Sequence, residues 1–139
     1  MSDFWKDAEI ISSYSRAQAI DDGVLVDLMQ AETAGAVREA GFKYPIAMTS
    51  AAFELAVWPI DNEEADKWLE SKCHDLQGRL WDVLWMLKRA SQRGGSEVRF
   101  QLSVWNFQSK RCNVISLKSV CGPNDDGSPC ITIMLPHED

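Results

Sequence analysis

The chain has 139 residues, a length typical of one domain, and 45% of them are hydrophobic, which is enough to form a core. Its formal net charge is -7. This acidic balance argues against direct binding to nucleic acid or to an anionic membrane surface, because both depend on cations. It is compatible with a basic protein partner or simply with solubility.

The start of the chain, Met1 to Trp5, lacks the basic-then-apolar order of a signal peptide, so we expect a cytoplasmic protein. The four cysteines contain no C-x-x-C pair and are expected to be free thiols in a reducing compartment. Cys121 and Cys130 bracket a loop, so a disulfide between them across a hairpin is the alternative.

Short helices and turns are predicted first along the chain. A helix is expected from Tyr14 to Ile20, capped by Ser12 or Ser13, and Asp21 to Gly23 is a stop-and-turn signal. Val24 to Met29 fits a short strand or an extended segment, because periodicity does not separate the two.

The next segments alternate helical and extended patterns. A helix is expected from Ala31 to Ala40, and Phe42 to Met48 is expected to be extended because of Pro45. A capped helix then runs from Thr49 or Ser50 to about Trp58. The acids of Asp61 to Glu64 favour the start of another helix, which either breaks near Cys73 to Asp75 or continues into the next.

The most apolar helix-length segment follows, and we predict a buried central helix at about 75–93. Asp75 is its expected N-cap, and its aliphatic residues form one stripe at helical spacing: Leu76, Leu80, Val83, Leu84 and Leu87. Trp81, Trp85 and Met86 widen the apolar arc until little polar face remains. Core packing is favoured for the two tryptophans over the alternative of a stacking platform for a ring ligand or a base.

After Gly94-Gly95 the hydrophobic period changes to two, which indicates strands at Val98–Val104, Val114–Val120 and Ile131–Leu135. The fold class expected is α+β in a single domain, 1–139. N-terminal helices are predicted to pack on a C-terminal three-stranded antiparallel meander, whose apolar face lies on the central helix.

Two groups of polar residues are candidates for binding a ligand or partner. The loop Gly122 to Gly127 carries adjacent carboxylates that resemble part of a calcium loop, but its spacing is incomplete and a plain turn is favoured. Paired acids near Gly23 fit acid–base chemistry, although a solvated turn is favoured there too. The candidate residues are Asp21, Asp22, Asn124, Asp125 and Asp126.

The sequence contains no motif that indicates a catalytic site or a cofactor site. Cys73 and His74 could supply two zinc ligands, but a tetrahedral site needs two more and only distant residues could provide them. The sequence has no G-x-S-x-G elbow, no G-x-G-x-x-G and no phosphate loop. We therefore expect no metal and no cofactor, and we favour a protein that is not an enzyme.

Four motifs resemble a known family. They are Asp22–Asp27, Ala40–Pro45, Gly78–Met86 and Cys121–Gly127, the last followed by Ile131–Pro136. With these the chain is similar to a family of small uncharacterised bacterial proteins, a domain of unknown function associated with mobile genetic elements. The resemblance implies an accessory gene on mobile DNA, such as an integron cassette, and brings no activity with it.

Three functions are compatible with these observations. We favour a non-enzymatic binding or adaptor protein that acts on another protein, with self-association as a variant. The second is a small-molecule-binding protein or enzyme with a pocket between helices and sheet. The third is an acidic decoy of nucleic acid. An exposed apolar patch favours the first, and a cleft with convergent polar groups of shifted pKa favours the second.

Overall fold

The computed structural model describes residues 15–92 and 94–138. The helices, in chain order, are α1 (Arg16–Asp21), α2 (Ala34–Glu39), α3 (Ser50–Ala56), α4 (Glu63–Ser71) and α5 (Leu76–Ser91). The strands are β1 (Leu25–Asp27), β2 (Ile46–Thr49), β3 (Glu97–Asn106), β4 (Arg111–Pro123) and β5 (Pro129–Met134).

All five strands form one mixed sheet, in the order β1-β2-β5-β4-β3. The β2 and β5 strands run parallel, with Ile46 opposite Ile131, and the other neighbouring strands are antiparallel. The predicted three-stranded meander is therefore wrong. The β3, β4 and β5 strands are antiparallel neighbours, but β1 and β2 complete a larger sheet. The α+β class itself is supported.

The β2 strand explains why the larger sheet is not visible in the sequence. All four of its residues, Ile46 to Thr49, are buried, so apolar and polar residues do not alternate along it. A continuous apolar run of this length fits a buried strand or part of a helix equally well. Its parallel partner lies 85 positions further along the chain, at Ile131, and no local pattern indicates such a pairing.

The core lies between one face of the sheet and helices α2, α3 and α5. On β3, Phe100, Leu102 and Val104 point inward, and the alternate residues between them are exposed. Leu80 and Leu84 of α5 are fully buried in the same cluster. Burial of each such side chain contributes roughly 1.5–3 kcal/mol.

The central helix is buried along one stripe only. The stripe residues Leu80, Val83, Leu84 and Leu87 are buried in the core, as predicted, and Leu76 is partly buried against it, but Trp85 is 49% exposed. The exposed Trp85 ring stacks on the Trp81 ring, which is partly buried against the core, with centroids 6.2 Å apart and planes 18° apart. The prediction that α5 is apolar and buried nearly all round is wrong, because Asp82, Trp85 and Arg89 on its outer side are exposed.

Local signals predicted the N-caps of α3 and α5 correctly, whereas α2 begins at Ala34 and not at Ala31. The Asp75 carboxylate accepts a hydrogen bond from the Gly78 amide at 2.7 Å, which makes it the N-cap of α5. Between α4 and α5 the chain passes through Cys73 at a φ of 63°, so these are two helices and not one. The N-cap predicted at Ser12 or Ser13 lies outside the described residues, and Ser15 caps α1. No helix in the described ranges is long and apolar enough to cross a lipid bilayer.

Candidate functional site

The loop carboxylate of Asp125 holds α1 against the sheet. Its Oδ1 accepts a hydrogen bond from the Arg16 amide at 2.8 Å, and its Oδ2 accepts one from the Ala17 amide at 3.1 Å. The Arg16 guanidinium in turn donates to the Thr132 hydroxyl at 2.6 Å and to the Ile131 carbonyl at 2.7 Å. Both oxygens of the Asp125 side chain are therefore used inside the fold.

The other loop residues also bond within the loop. The Asn124 side-chain oxygen accepts from the Asp125 amide, and the Asp126 carboxylate accepts from the Ser128 amide and hydroxyl. These two bonds from Ser128 lower the pKa of Asp126. In residues 15–92 and 94–138 no group of three or more potential His, Cys, Asp or Glu ligands surrounds a cation site.

Asp21 and Asp22 lie at the opposite end of α1 from Asp125. Asp21 is the last residue of the helix and Asp22 is its C-cap, and both are exposed. Six helical residues span about 9 Å, so the predicted acids do not form one cluster. A role for any of these five residues in binding stays a prediction.

The cysteines of the last hairpin do not face each other. In the register of β4 and β5, Cys121 is opposite Ile131, whereas Cys130 is opposite Gly122. Neighbouring positions along a strand point to opposite faces, so the two thiols lie on different sides of the sheet. All four cysteines are free thiols, and burial raises the pKa of the Cys130 thiol.

Arg79 is a charged residue that the structure buries, with only 5% of its surface exposed. Its guanidinium donates to the carbonyls of Val57 at 2.5 Å, Trp105 at 3.2 Å and Leu55 at 3.3 Å. Two of these carbonyls lie at the C-terminal end of α3, where helical carbonyls have no partner within the helix. Burial lowers the pKa of Arg79.

A cleft of about 300 Å³ opens above this guanidinium, between α3, α4 and the end of β3. We call it the Arg79 cleft. Its walls are mainly apolar and include Leu55, Leu69, Trp105 and Phe107. Asn62 at the start of α4 adds a polar group. A small apolar cleft with a few convergent polar groups is the usual form of a site for a small molecule.

Further aromatic rings and lysines pack on Trp105 and Phe107 of the cleft wall. The Trp68 ring lies edge to face with Trp105 and with Phe107, at 6.0 Å in each case. The Lys110 ammonium is 3.2 Å from the Phe107 ring centroid, which is a cation–π contact. His74 lies edge to face with Trp105, and its pKa is lowered by burial and then by the Arg79 charge.

Comparison with protein families identifies the chain at this point. The whole chain, residues 1–139, matches the family described as a family of unknown function, DUF6573. The chain belongs to this family. The predicted resemblance to a domain of unknown function is confirmed, and the family description contains no activity, ligand or partner. Neither the curated proteins nor the solved structures contain a match.

Sequence reasoning did not identify Arg79 as a site residue of this family member. Arg79 stands next to the aliphatic stripe of α5, one position before Leu80. The one signal in the sequence was the position of this arginine beside the buried stripe. A charged side chain at such a position needs hydrogen-bond or ion-pair partners if it is buried. The carbonyls that it contacts come from elsewhere in the chain, so their identity was not available from local spacing.

Proposed function

We propose that the protein binds a small organic anion, with its charge at Arg79 and its apolar part in the Arg79 cleft. This is the second of the functions predicted from the sequence. One observation carries it: a buried guanidinium lies at the base of an apolar cleft, and no carboxylate of the described residues lies within ion-pair distance of it.

The chemistry of the guanidinium supports an anionic ligand. Arginine has five N–H donors, and three contacts to carbonyls leave two of them for a ligand. A carboxylate can accept two parallel bonds from a guanidinium, and such charged hydrogen bonds are about twice as strong as neutral ones. The ligand would also offset the cost of burying a cation, which in the described residues is matched by three carbonyl dipoles and by the charge of Asp82 beyond ion-pair distance.

The walls of the cleft limit the ligand further. A volume of about 300 Å³ is at the lower end of the range for ligand sites, so the ligand is a small one. Trp105 and Phe107, which are partly exposed, present apolar surface that favours a hydrocarbon or aromatic part. The exposed Glu54 carboxylate also lines the cleft and repels a second negative charge. These features favour an amphipathic monocarboxylate.

The proposal is tested by titration with octanoate and with its neutral amide, octanamide, followed by tryptophan fluorescence and thermal unfolding. Octanoate is expected to raise the melting temperature and to bind about tenfold more tightly than the amide, because only the carboxylate pairs with Arg79. Equal affinities, or no binding of either compound, would contradict the proposal.

A cleft-filling variant separates binding from folding. Ala51→Phe places a ring in the cleft from the exposed side of α3 and leaves Arg79 in place, so the variant should fold and lose octanoate binding. Ala17→Phe makes the same change at an exposed position of α1, outside the cleft, and should bind as the unchanged protein does. Retained binding in Ala51→Phe would place the ligand elsewhere.

Binding to another protein is a second candidate function, and it is the one favoured from the sequence. The stacked pair Trp81 and Trp85 supports it, since nearly half of the Trp85 side chain is exposed and tryptophan is enriched at the centres of protein interfaces. We propose this face of α5 as the contact surface, with a second copy of the chain as the first partner to test.

Analytical ultracentrifugation tests this contact. If the surface forms a dimer with Trp85 as its hot spot, Trp85→Gln is expected to raise the dissociation constant about thirtyfold, which corresponds to a loss of about 2 kcal/mol. Val114→Gln is the control, because Val114 is also exposed but lies on β4. If the chain is a monomer at high concentration, self-association is excluded. The unchanged chain and Trp85→Gln are then compared for the proteins that each captures from the native host.

The genetic context is a separate proposal. The resemblance of the motifs supports an origin on mobile DNA, such as an integron cassette, and a site of action in the cytoplasm is proposed beside it. Both are tested by mapping the neighbouring genes and by fractionating cells that express the chain. Recurrent chromosomal positions without mobile elements would contradict the first, and recovery outside the cytoplasm would contradict the second.

A further inference from the structure

A second cavity of about 300 Å³ lies near the other end of α5, where that helix, the segment from Gly41 to Tyr44 and the sheet meet. We call it the lysine pocket. Among the described residues that line it, the charged ones are Lys43 and Lys88, and none is acidic. In a chain with a net charge of -7 this is a locally positive cavity.

Lys88 is held in a fixed position at this pocket. Its ammonium donates a hydrogen bond to the Gly41 carbonyl at 3.0 Å and lies 5.2 Å from the centroid of the Phe42 ring. Gly41 has a φ of +87°, and a Cβ there would lie 3.5 Å from the Lys88 ammonium. The ammonium still has two N–H donors beyond the bond to Gly41.

Ser119 adds a hydroxyl group to the lining of the pocket. Its side chain lines the pocket, it is only 5% exposed, and its hydroxyl makes no hydrogen bond to any described residue. The hydroxyl keeps some contact with solvent, so it is available to donate to a bound acceptor. An acceptor bound in the pocket would satisfy the Ser119 hydroxyl and both lysines together.

We propose that the lysine pocket binds a phosphate group, either as inorganic phosphate or as the monoester of an organic molecule. Lysine binds phosphate as a point charge, and a tetrahedral dianion can accept hydrogen bonds from several directions at once. Phe42 and Tyr44, which also line the pocket, offer ring surface to the organic part of a monoester. Arg79 and Lys88 are separated by about 13 Å along α5, so this site is distinct from the Arg79 cleft.

The thiols provide a direct test on the full chain. Cys121 lines the pocket and is partly buried, whereas Cys73 and Cys112 are exposed and lie outside it. Iodoacetamide labelling is measured for each cysteine by mass spectrometry, with inorganic phosphate, with phenyl phosphate and with chloride at the same ionic strength. Either phosphate compound should slow the labelling of Cys121 at least threefold and leave Cys73 and Cys112 unchanged.

Two variants assign the protection to the pocket. Lys43→Gln and Ser119→Ala should each raise the phosphate concentration needed for protection about tenfold, and Lys67→Gln, an exposed change on α4, should have no effect. Stronger protection by phenyl phosphate identifies an organic monoester, and equal protection identifies inorganic phosphate. The proposal would be overturned if phosphate protected Cys121 no more than chloride does, or if both pocket variants were protected as well as the unchanged chain. Either result is independent of whether octanoate binds in the Arg79 cleft.

Discussion

At the scale of single residues, the Arg79 side chain joins the end of α3 to the end of β3. Arg79→Met is expected to lower the free energy of unfolding by about 3 kcal/mol, because it leaves buried carbonyls without a donor. Arg79→Lys should recover only part of the loss, since an ammonium lacks the planar fork of a guanidinium. Urea denaturation measures both changes.

Arg89 provides the matched control for this prediction. It is an exposed arginine on the same helix, in its last turn, so Arg89→Gln should cost less than about 1 kcal/mol. A loss for Arg79→Met as small as that of the control would show that the three carbonyl contacts do not stabilise the fold.

His74 predicts a dependence of stability on pH. Burial and the nearby Arg79 charge make the pKa of His74 lower in the folded chain than in the unfolded one. The folded state therefore holds fewer protons, and this contribution is complete above the unfolded pKa of about 6.5 and is lost as the pH falls below it. The drop in melting temperature from pH 7.5 to 5.5 should be smaller in His74→Gln. An equal drop in both proteins would assign the acid sensitivity to other groups.

Residues whose partners are nearby in sequence could be predicted. The Asp75 cap was expected because its acceptor and the Gly78 donor are three positions apart. The Asp125 carboxylate was singled out, but its partners at Arg16 and Ala17 are more than a hundred positions away, so a candidate binding residue proved to have a role in the fold. The outward position of Trp85 was missed, because hydrophobicity alone does not say which part of a wide apolar arc faces the core.

At the scale of elements, substitutions at the two ends of α1 are expected to change stability in opposite directions. Asp125→Ala removes the acceptor at its N-terminal end and should lower stability by about 1 kcal/mol, with faster hydrogen exchange at the Arg16 and Ala17 amides. Asp21→Ala removes an exposed acid from its C-terminal end, where the helix dipole disfavours negative charge, so stability should rise slightly. Changes of the same sign and size would mean that Asp125 does not act through the helix terminus.

Elements with clear periodicity were predicted from the sequence, and those without it were not. The alternation along β3 and the aliphatic stripe of α5 both reflect one buried and one exposed side, and both elements were identified. The β2 strand is buried on both sides, so the same method assigned only an extended segment. The cleft that we propose as the binding site depends on how α3, α4 and β3 meet, and it could not be located from any one of them.

At the scale of the whole molecule, β5 lies between β2 and β4 and joins the two parts of the sheet. Ile133 of β5 is fully buried, so Ile133→Ala should cost about 2–5 kcal/mol. Because β5 contacts both parts, they should unfold in one transition, with the same midpoint by tryptophan fluorescence and by far-UV circular dichroism. The control Val114→Ala, at an exposed position of β4, should change the unfolding midpoint little. If Ile133→Ala gave different midpoints by fluorescence and by circular dichroism, the two parts of the sheet would be independent units.

The parallel pairing of β2 with β5 also has a consequence for biosynthesis. When a ribosome has made the chain as far as β4, the edges of β2 and β4 that β5 will occupy are both still open. Unpaired strand edges of a nascent polypeptide can pair with other chains. Completion of the sheet therefore waits for residues 129–134 to leave the exit tunnel, and until then the growing chain is a natural client for chaperones.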